Sequence, residues 1–284
     1  MVQSSGPDDR QLGKGRTMTS EGPVLQVDVA DRVATLTMNR PDRRNALNAE
    51  LRRRLREAVR DVEASPEIDV VILTGADPAF CAGLDLTEFT SADSGLRAPA
   101  PLEGRDRGPL GLHAKPIIGA GNGVAVTGGL ELALACDFLI ASDQARFADT
   151  HTRVGILPGW GLTVLLPEAV GLRRAREMSV TGNYLDAHLA LTWGLVNRVV
   201  PHDELLATCR SLAAAVVSND QAAVGALLET YDRATATTAA EGWQIEAEAH
   251  RAWTKEHLDA TTTSRLKAVI DRGRSQVANP EVSS

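Results

Sequence analysis

Gly128-Gly129-Leu130-Glu131-Leu132-Ala133-Leu134-Ala135-Cys136-Asp137 sets one carboxylate in an apolar, helix-forming run directly behind two glycines. Glycines at a helix start leave backbone N–H groups uncovered at the positive end of the helix dipole, where a developing anion can be held. A carboxylate one turn inside can reach protons near the same anion, so the stretch can support proton transfer beside a stabilised oxyanion. The competing reading is a closely packed helix start with Glu131 turned to solvent. Two other stretches can supply partners. Arg43 and Arg44 stand in the polar loop Asn39–Asn48, where a loop can fold over a ligand. The segment from Phe147 to Gly161 carries Gly155, Pro158 and Gly159, and reads as an extended piece followed by a loop that projects polar groups into a site.

The elements that must position these groups can be read in chain order. Val24–Val29 and Val33–Met38 alternate as two strands joined by Asp31-Arg32. Asn48 is placed to cap a helix whose Leu47, Leu51, Leu55, Ala58, Val59 and Val62 share one face, with Arg52, Arg53, Arg54, Arg56 and Arg60 on the solvated one. Ile68–Thr74 is an apolar strand, and Gly75–Gly83 is a turn-rich segment leading to Leu84-Asp85-Leu86, where main-chain amides become available. Residues 91–111 read as a long mobile loop. Ile117–Val126 predicts one strand running into the glycines, with the helix ending near Asp137 and a further strand over Phe138–Ala141. This recurrence predicts a right-handed spiral of β-β-α repeats rather than one doubly wound sheet. Helical patterns follow at Leu172–Val180 and Asp186–Trp193, then a strand over Leu195–Val200. Beyond Pro201 the patterns are helical throughout: Leu205, Cys209, Leu212 and Val216 with Asp203 as cap, then stripes through Tyr231, Trp243 and Leu266. His250, on one such stripe, reads as a packing histidine.

Across 284 residues these elements divide into a flexible tail (1–20), a core (21–200) and a C-terminal helical region (201–284) too small to stand alone, which must pack on the core or a partner subunit. Hydrophobic residues at 43% and charged ones at 24% are ordinary for a globular chain. A net charge of −7 excludes a general nucleic-acid binder and requires any anionic ligand to find a local basic patch. Three scattered cysteines, Cys81, Cys136 and Cys209, provide neither a disulfide framework nor a metal site and fit a reducing, cytoplasmic compartment. No apolar window of about 18 residues is present, so no membrane partner is expected.

Several stretches, in order over roughly residues 24–275, together resemble the crotonase family, the enoyl-CoA hydratase/isomerase group. These are Asn39-Arg40-Pro41 with Asn45-Ala46-Leu47-Asn48; Phe80-Cys81-Ala82-Gly83-Leu84-Asp85-Leu86; Lys115-Pro116 with Asn122-Gly123 and the Gly128-Gly129 stretch; and Phe147, Gly155, Pro158-Gly159 and Thr181-Gly182. The resemblance implies an α/β crotonase-type spiral with a C-terminal helical oligomerisation region, commonly a homotrimer or a dimer of trimers. It implies an acyl-CoA thioester as substrate and no permanently bound cofactor. The backbone N–H groups of Leu84 and Gly128 would hold the thioester oxygen, and Arg43, Arg44, Ala46, Ala82, Asp85 and Leu86 would line the coenzyme A end.

Family hydratases hold one water with two carboxylates, add its hydroxyl to the β-carbon and supply the α-proton. Glu131 falls on the first of these positions and His151 on the second, a departure that substitutes a group able to accept or donate a proton near neutral pH but without negative charge. Gly121 stands where the family has an aliphatic residue, and Thr127 where it has glycine or alanine. Trp160 is bulky and implies a restricted acyl pocket, with core packing as the competing reading. The leading expectation is an enoyl-CoA hydratase. A double-bond isomerase, an acyl-CoA hydrolase and a non-catalytic acyl-CoA-binding protein are the alternatives.

Overall fold

The computed structural model describes residues 22–89, 108–111, 113–257 and 269–274. The expected tail (1–20), most of the expected loop (91–111) and Leu266 lie outside the described residues. The alternating runs at the start pair as an antiparallel hairpin of β1 (Leu25–Ala30) and β2 (Val33–Met38). Its two turn residues, Asp31 and Arg32, both take positive φ (51° and 65°), as a tight hairpin turn between right-twisted strands requires. Arg32 then donates to Asp69 (Nη2–Oδ1 2.6 Å), tying the hairpin to the strand beside it.

From here each pass of the chain adds one strand to each of two sheets. β3 (Val70–Gly75), β5 (Ile117–Gly121), β7 (Phe138–Ser142) and later β10 (Arg198–Val200) join a six-stranded sheet in the order β1-β2-β3-β5-β7-β10, parallel beyond the hairpin. β4 (Ala79–Cys81), β6 (Val124–Val126), β8 (Arg146–Ala148) and later β9 (Leu185–Asp186) join a four-stranded sheet in the order β4-β6-β8-β9. The spiral of β-β-α repeats is therefore present, but two of its corners differ from the expectation. The single strand expected over Ile117–Val126 breaks at Asn122-Gly123 and changes sheet, and the expected turn segment Gly75–Gly83 contains β4. Contact explains the first corner. A Cβ at Gly123 would stand 2.3 Å from the carbonyl of Pro78, and Asn122 bonds across to Asp77 (Nδ2–Oδ1 2.9 Å) and Gly75 (N–Oδ1 3.3 Å).

Helices close each pass: α1 (Ala49–Ala64), α2 (Leu86–Phe89), α3 (Gly128–Leu134), then α4 (His151–Val154), α5 (Leu162–Val170) and α6 (Leu172–Thr181). Asn48 caps α1, accepting from the Leu51 N–H at 2.9 Å, and Leu51, Leu55, Val59 and Val62 are buried as their spacing requires. α4 and α5 were not expected. One is a single turn, and the other contains Pro167, which masks a stripe of Leu162, Leu166 and Val170. After β9 (Leu185–Asp186), α7 (Ala187–Trp193) and β10 (Arg198–Val200) come α8 (Leu205–Val217), α9 (Gln221–Thr235) and α10 (Ala239–His257).

Two cores result, and β3 serves both. Val71 and Leu73 face Phe80, Leu51, Leu130 and Phe147. Val70 and Ile72 face Ile118, Ile140 and the Leu205–Cys209–Ala213 stripe of α8 on the sheet's outer side. Asp203 does not cap α8: it sits in a 3₁₀ turn, His202–Glu204, that runs straight into the helix, and Glu204 at the cap position makes no side-chain bond. α9 and α10 pack on each other and leave Leu227, Tyr231 and Trp243 exposed. His250 is exposed as well, so among the described residues it is not a packing residue. Among the described residues no single helix is long and apolar enough to cross a membrane.

Candidate active site

The chain leaves β4 through Ala82 and Gly83, whose φ of +87° lets it turn beneath α3; a Cβ at Gly83 would lie 2.8 Å from the Val126 carbonyl. It then forms a parallel bridge with Leu47. The Leu47 N–H donates to the Gly83 carbonyl (2.7 Å), and the Asp85 N–H donates to the Leu47 carbonyl (3.1 Å). In an extended chain successive amides point to opposite sides, so the Leu84 N–H faces away from Leu47. Gly128, the first residue of α3, meets it: a Cβ there would be 3.7 Å from the Leu84 nitrogen. Gly129 permits this approach, since a Cβ on it would sit 2.1 Å from the Cys81 carbonyl. Among the described residues neither the Leu84 nor the Gly128 N–H has an acceptor. Two unpaired amides side by side at a helix start are suited to hold an anionic oxygen.

Thr127 precedes Gly128 with φ 54° and ψ −118°, a conformation rare for a β-branched residue. It is held from three directions: its N–H donates to Ala148 (3.0 Å), its carbonyl accepts from Glu131 (3.0 Å), and its hydroxyl hydrogen-bonds that of Thr150.

One turn into α3, Glu131 is 3% exposed, which rules out the solvent-facing alternative. Its Oε1 accepts the Trp160 main-chain N–H at 2.8 Å, and its Oε2 lies 3.5 Å from Nε2 of His151. His151, 2% exposed, opens α4 after the Asp149-Thr150 turn that follows β8. Its other ring nitrogen, Nδ1, is 2.6 Å from Oδ1 of Asp149, which also accepts the His151 main-chain N–H at 3.1 Å. Burial opposes charge on the imidazole, but the hydrogen bonds and negative charges of Asp149 and Glu131 outweigh it and push the pKa up to about 9. Burial likewise works to raise the Asp149 carboxyl, yet hydrogen bonds from His151 and the Ser179 hydroxyl hold it below the usual carboxylate range. That balance favours the doubly protonated His151 ring at neutral pH. Nδ1 is engaged by Asp149, which leaves Nε2, 3.5 Å from Glu131, as the nitrogen placed to exchange a proton. Asp149 escaped the sequence reading. An aspartate two residues before a histidine at a strand end is the Asx-turn spacing that could have marked it.

The expected coenzyme A residues divide. Arg43, Ala46, Ala82 and Leu84 line a cavity of about 270 Å³ together with Thr127 and Thr150. Arg44, in left-handed conformation and exposed, is not among its lining residues. Asp85 reaches the cavity wall, but its carboxylate is taken: Arg40 pairs with it (Nη2–Oδ2 2.9 Å) and the Thr87 N–H donates to it (3.1 Å). Burial notwithstanding, those partners keep the Asp85 carboxyl below its ordinary range, so it braces the loop rather than meeting a phosphate. Arg40 completes that brace by also donating to the Ala46 carbonyl. Asn45 fixes the same loop through the Ala76 (2.8 Å) and Ala79 (2.6 Å) carbonyls. Leu86 opens α2, and its side chain lies outside what is described. Trp160 is half-buried with its ring against Gly128, where a Cβ would meet it at 3.1 Å, and is not among the residues lining the cavity. Glu131 and His151 do not line it either. Among the described residues no three His, Cys, Asp or Glu side chains cluster to hold a metal ion.

A family model described as enoyl-CoA hydratase/isomerase matches residues 28–267. A probable peroxisomal enoyl-CoA hydratase of Arabidopsis thaliana is 42% identical over 195 residues, covering 68% of this chain and 72% of its own. The short-chain-enoyl-CoA hydratase of Clostridium acetobutylicum is 39% identical over 202 residues, covering 68% and 75%. Among solved structures, an enoyl-CoA hydratase from Mycobacterium tuberculosis is similar with a TM-score of 0.69 at 54% identity, covering 80% of this chain and 98% of that one. One from Geobacillus kaustophilus gives 0.78 at 30% identity, covering 89% and 97%.

Proposed function

This chain belongs to the enoyl-CoA hydratase/isomerase family, and from that premise we propose that it adds water across the 2,3 double bond of an acyl-CoA thioester. The observation that carries the proposal is the buried pair of one carboxylate and one proton donor, 3.5 Å apart, beside two unpaired amides. Hydration needs a group that takes a proton from water and a group that delivers one to carbon. Glu131 takes the water proton as the oxygen bonds to C3. The electrons of the double bond shift toward the thioester oxygen, which the Leu84 and Gly128 N–H groups hold as an enolate. His151 then protonates C2 through Nε2. An isomerase that works with a single acid–base group would have no use for a second one at this distance, so hydration is favoured over isomerisation.

The cavity beside Leu84 suits the pantetheine arm, with Arg43 toward the phosphates of the coenzyme A end. The acyl end must pass Thr150 and the Trp160 segment to reach Glu131. The helical region, 201–284, serves subunit contacts in a homotrimer or dimer of trimers, for which the exposed Leu227, Tyr231 and Trp243 supply apolar area. The 21–200 core, the absence of a resident cofactor and a cytoplasmic location belong to the same proposal. All three cysteines are free, as a reducing compartment allows.

The test is product mass after incubation with 2-enoyl-CoA thioesters of short, long and branched acyl chains. Gain of one water supports hydration, an unchanged mass with a moved double bond points to isomerisation, and free coenzyme A points to hydrolysis. Thermal stabilisation without any turnover would leave only a binding protein.

A further inference from the structure

Hydration as written above uses Glu131 and His151 and leaves a third buried ionisable group, Asp149, without a task. Asp149 is 1% exposed, and one of its oxygens, Oδ1, serves both the ring Nδ1 (2.6 Å) and the main-chain N–H (3.1 Å) of His151. These two bonds close a small ring that fixes which edge of the imidazole faces which neighbour. Nδ1 points back to Asp149, so Nε2 is the nitrogen turned to Glu131. The contact to Glu131 is long, at 3.5 Å, and alone would compensate a buried imidazolium poorly.

We propose that Asp149 is a positioning residue for the hydration reaction: it keeps His151 doubly protonated with Nε2–H turned to the Glu131 side of the site, where the substrate would enter between them, and so fixes Glu131 as base and His151 as acid. The proposal rests on the hydratase reading. In the forward step the water O–H bond breaks, its proton goes to Glu131 and its oxygen bonds to C3. The Nε2–H bond of His151 breaks and that proton bonds to C2. The pair is left as a neutral carboxylic acid and a neutral imidazole. Return of the proton from Glu131 Oε2 to His151 Nε2 across their contact restores the starting state, so the cycle closes without a proton from bulk solvent. Asp149 stays ionised throughout.

The charges around His151 are few. Glu131 faces it from α3 and Asp149 from the turn before α4. α6, packed against α4, contributes the Ser179 hydroxyl to Asp149, while its charged side chains, Arg173, Arg174, Arg176 and Glu177, are exposed. Arg153 of α4 is turned to the Thr181 carbonyl (2.8 Å).

The test has two arms, run on the full chain after hydration by the wild-type protein has been established. Imidazole 15N resonances are titrated, with His151 assigned as the signal missing in His151→Gln. The wild-type ring is expected to lose its proton only above about pH 8, and in Asp149→Asn at a pH lower by more than about one unit. The alkaline limb of kcat for hydration is expected to move down by the same interval, with turnover at pH 6 within a few-fold of wild type. A uniform loss across the pH range, with the limb unmoved, would mean that Asp149 only supports the fold and would overturn the proposal. So would a wild-type His151 that is neutral at pH 7, a result that stands even if Asp149→Asn does not fold. A wild-type protein that hydrates nothing would fail the hydratase reading instead, and the titration would still decide the charge of His151.

Discussion

The two halves of the site are made of different materials. On the α3 side the chemistry is main chain: Leu84 and Gly128 offer amides, Gly83 and Gly129 are there because side chains would collide with the Val126 and Cys81 carbonyls, and a Cβ on Gly128 would press on the Trp160 ring. Facing it the chemistry is charge: Asp149 and His151 at the start of α4, with Glu131 reaching over from α3, form a buried line. The first half depends on packing and survives side-chain exchange where no Cβ intrudes. The second depends on which protons are bound, so it is sensitive to pH. A site of this kind tolerates drift at Leu84 far better than at Glu131.

The sharpest way to break that contrast is Glu131→Gln, which keeps the shape and removes the proposed base. Turnover is expected to fall at least about a hundredfold while acyl-CoA affinity, measured by calorimetry, changes little. Next in size is a pH effect on stability. The folded pKa of His151, about 9, lies above its ordinary 6.5, so its contribution is fully present below about pH 6.5 and is lost as pH rises through 9. Urea melts should show a loss on the order of a few kcal/mol across that window, and His151→Gln should flatten it.

The same contrast decides what could be read from sequence. The glycine-set half is legible because steric need leaves few alternatives: Gly128-Gly129 behind a strand announces a helix start with bare amides, and Asn48 announces a cap. The charge-set half is not, because sequence names titratable residues without saying which of them meet. Asp149 looked like one more polar loop residue, and Asp85 looked free to meet a ligand, whereas Arg40 already holds it. Short elements failed for a third reason. β4, α4 and the corner at Asn122-Gly123 are stabilised by contacts with other passes of the spiral, Pro78 and Asp77 among them, that leave no local period to detect. Asp203 misled because a capping residue type was present without cap geometry.

Smaller effects sharpen the packing half. Gly129→Ala brings a Cβ to 2.1 Å from the Cys81 carbonyl, a backbone atom that cannot swing aside, and is expected to cost about 1–3 kcal/mol, seen as a fall of several degrees in Tm. A Tm equal to wild type would show that α3 has slack at its start and weaken the claim that the two amides are pressed together. At the small end, Leu84→Ala keeps the amide and should leave turnover within a few-fold, whereas a loss comparable to that of Glu131→Gln would mean that the side chain of Leu84 acts where only its N–H is assigned a role.

The claim on which all of this turns is that the Leu84 and Gly128 amides act on the thioester that Glu131 serves. Crotonyl-CoA carrying 13C at the thioester carbon, bound to the slow Glu131→Gln protein, tests it in one spectrum. Two donors polarising the carbonyl should move that resonance downfield of its position in free crotonyl-CoA. A bound thioester whose carbonyl resonates where the free one does would contradict it.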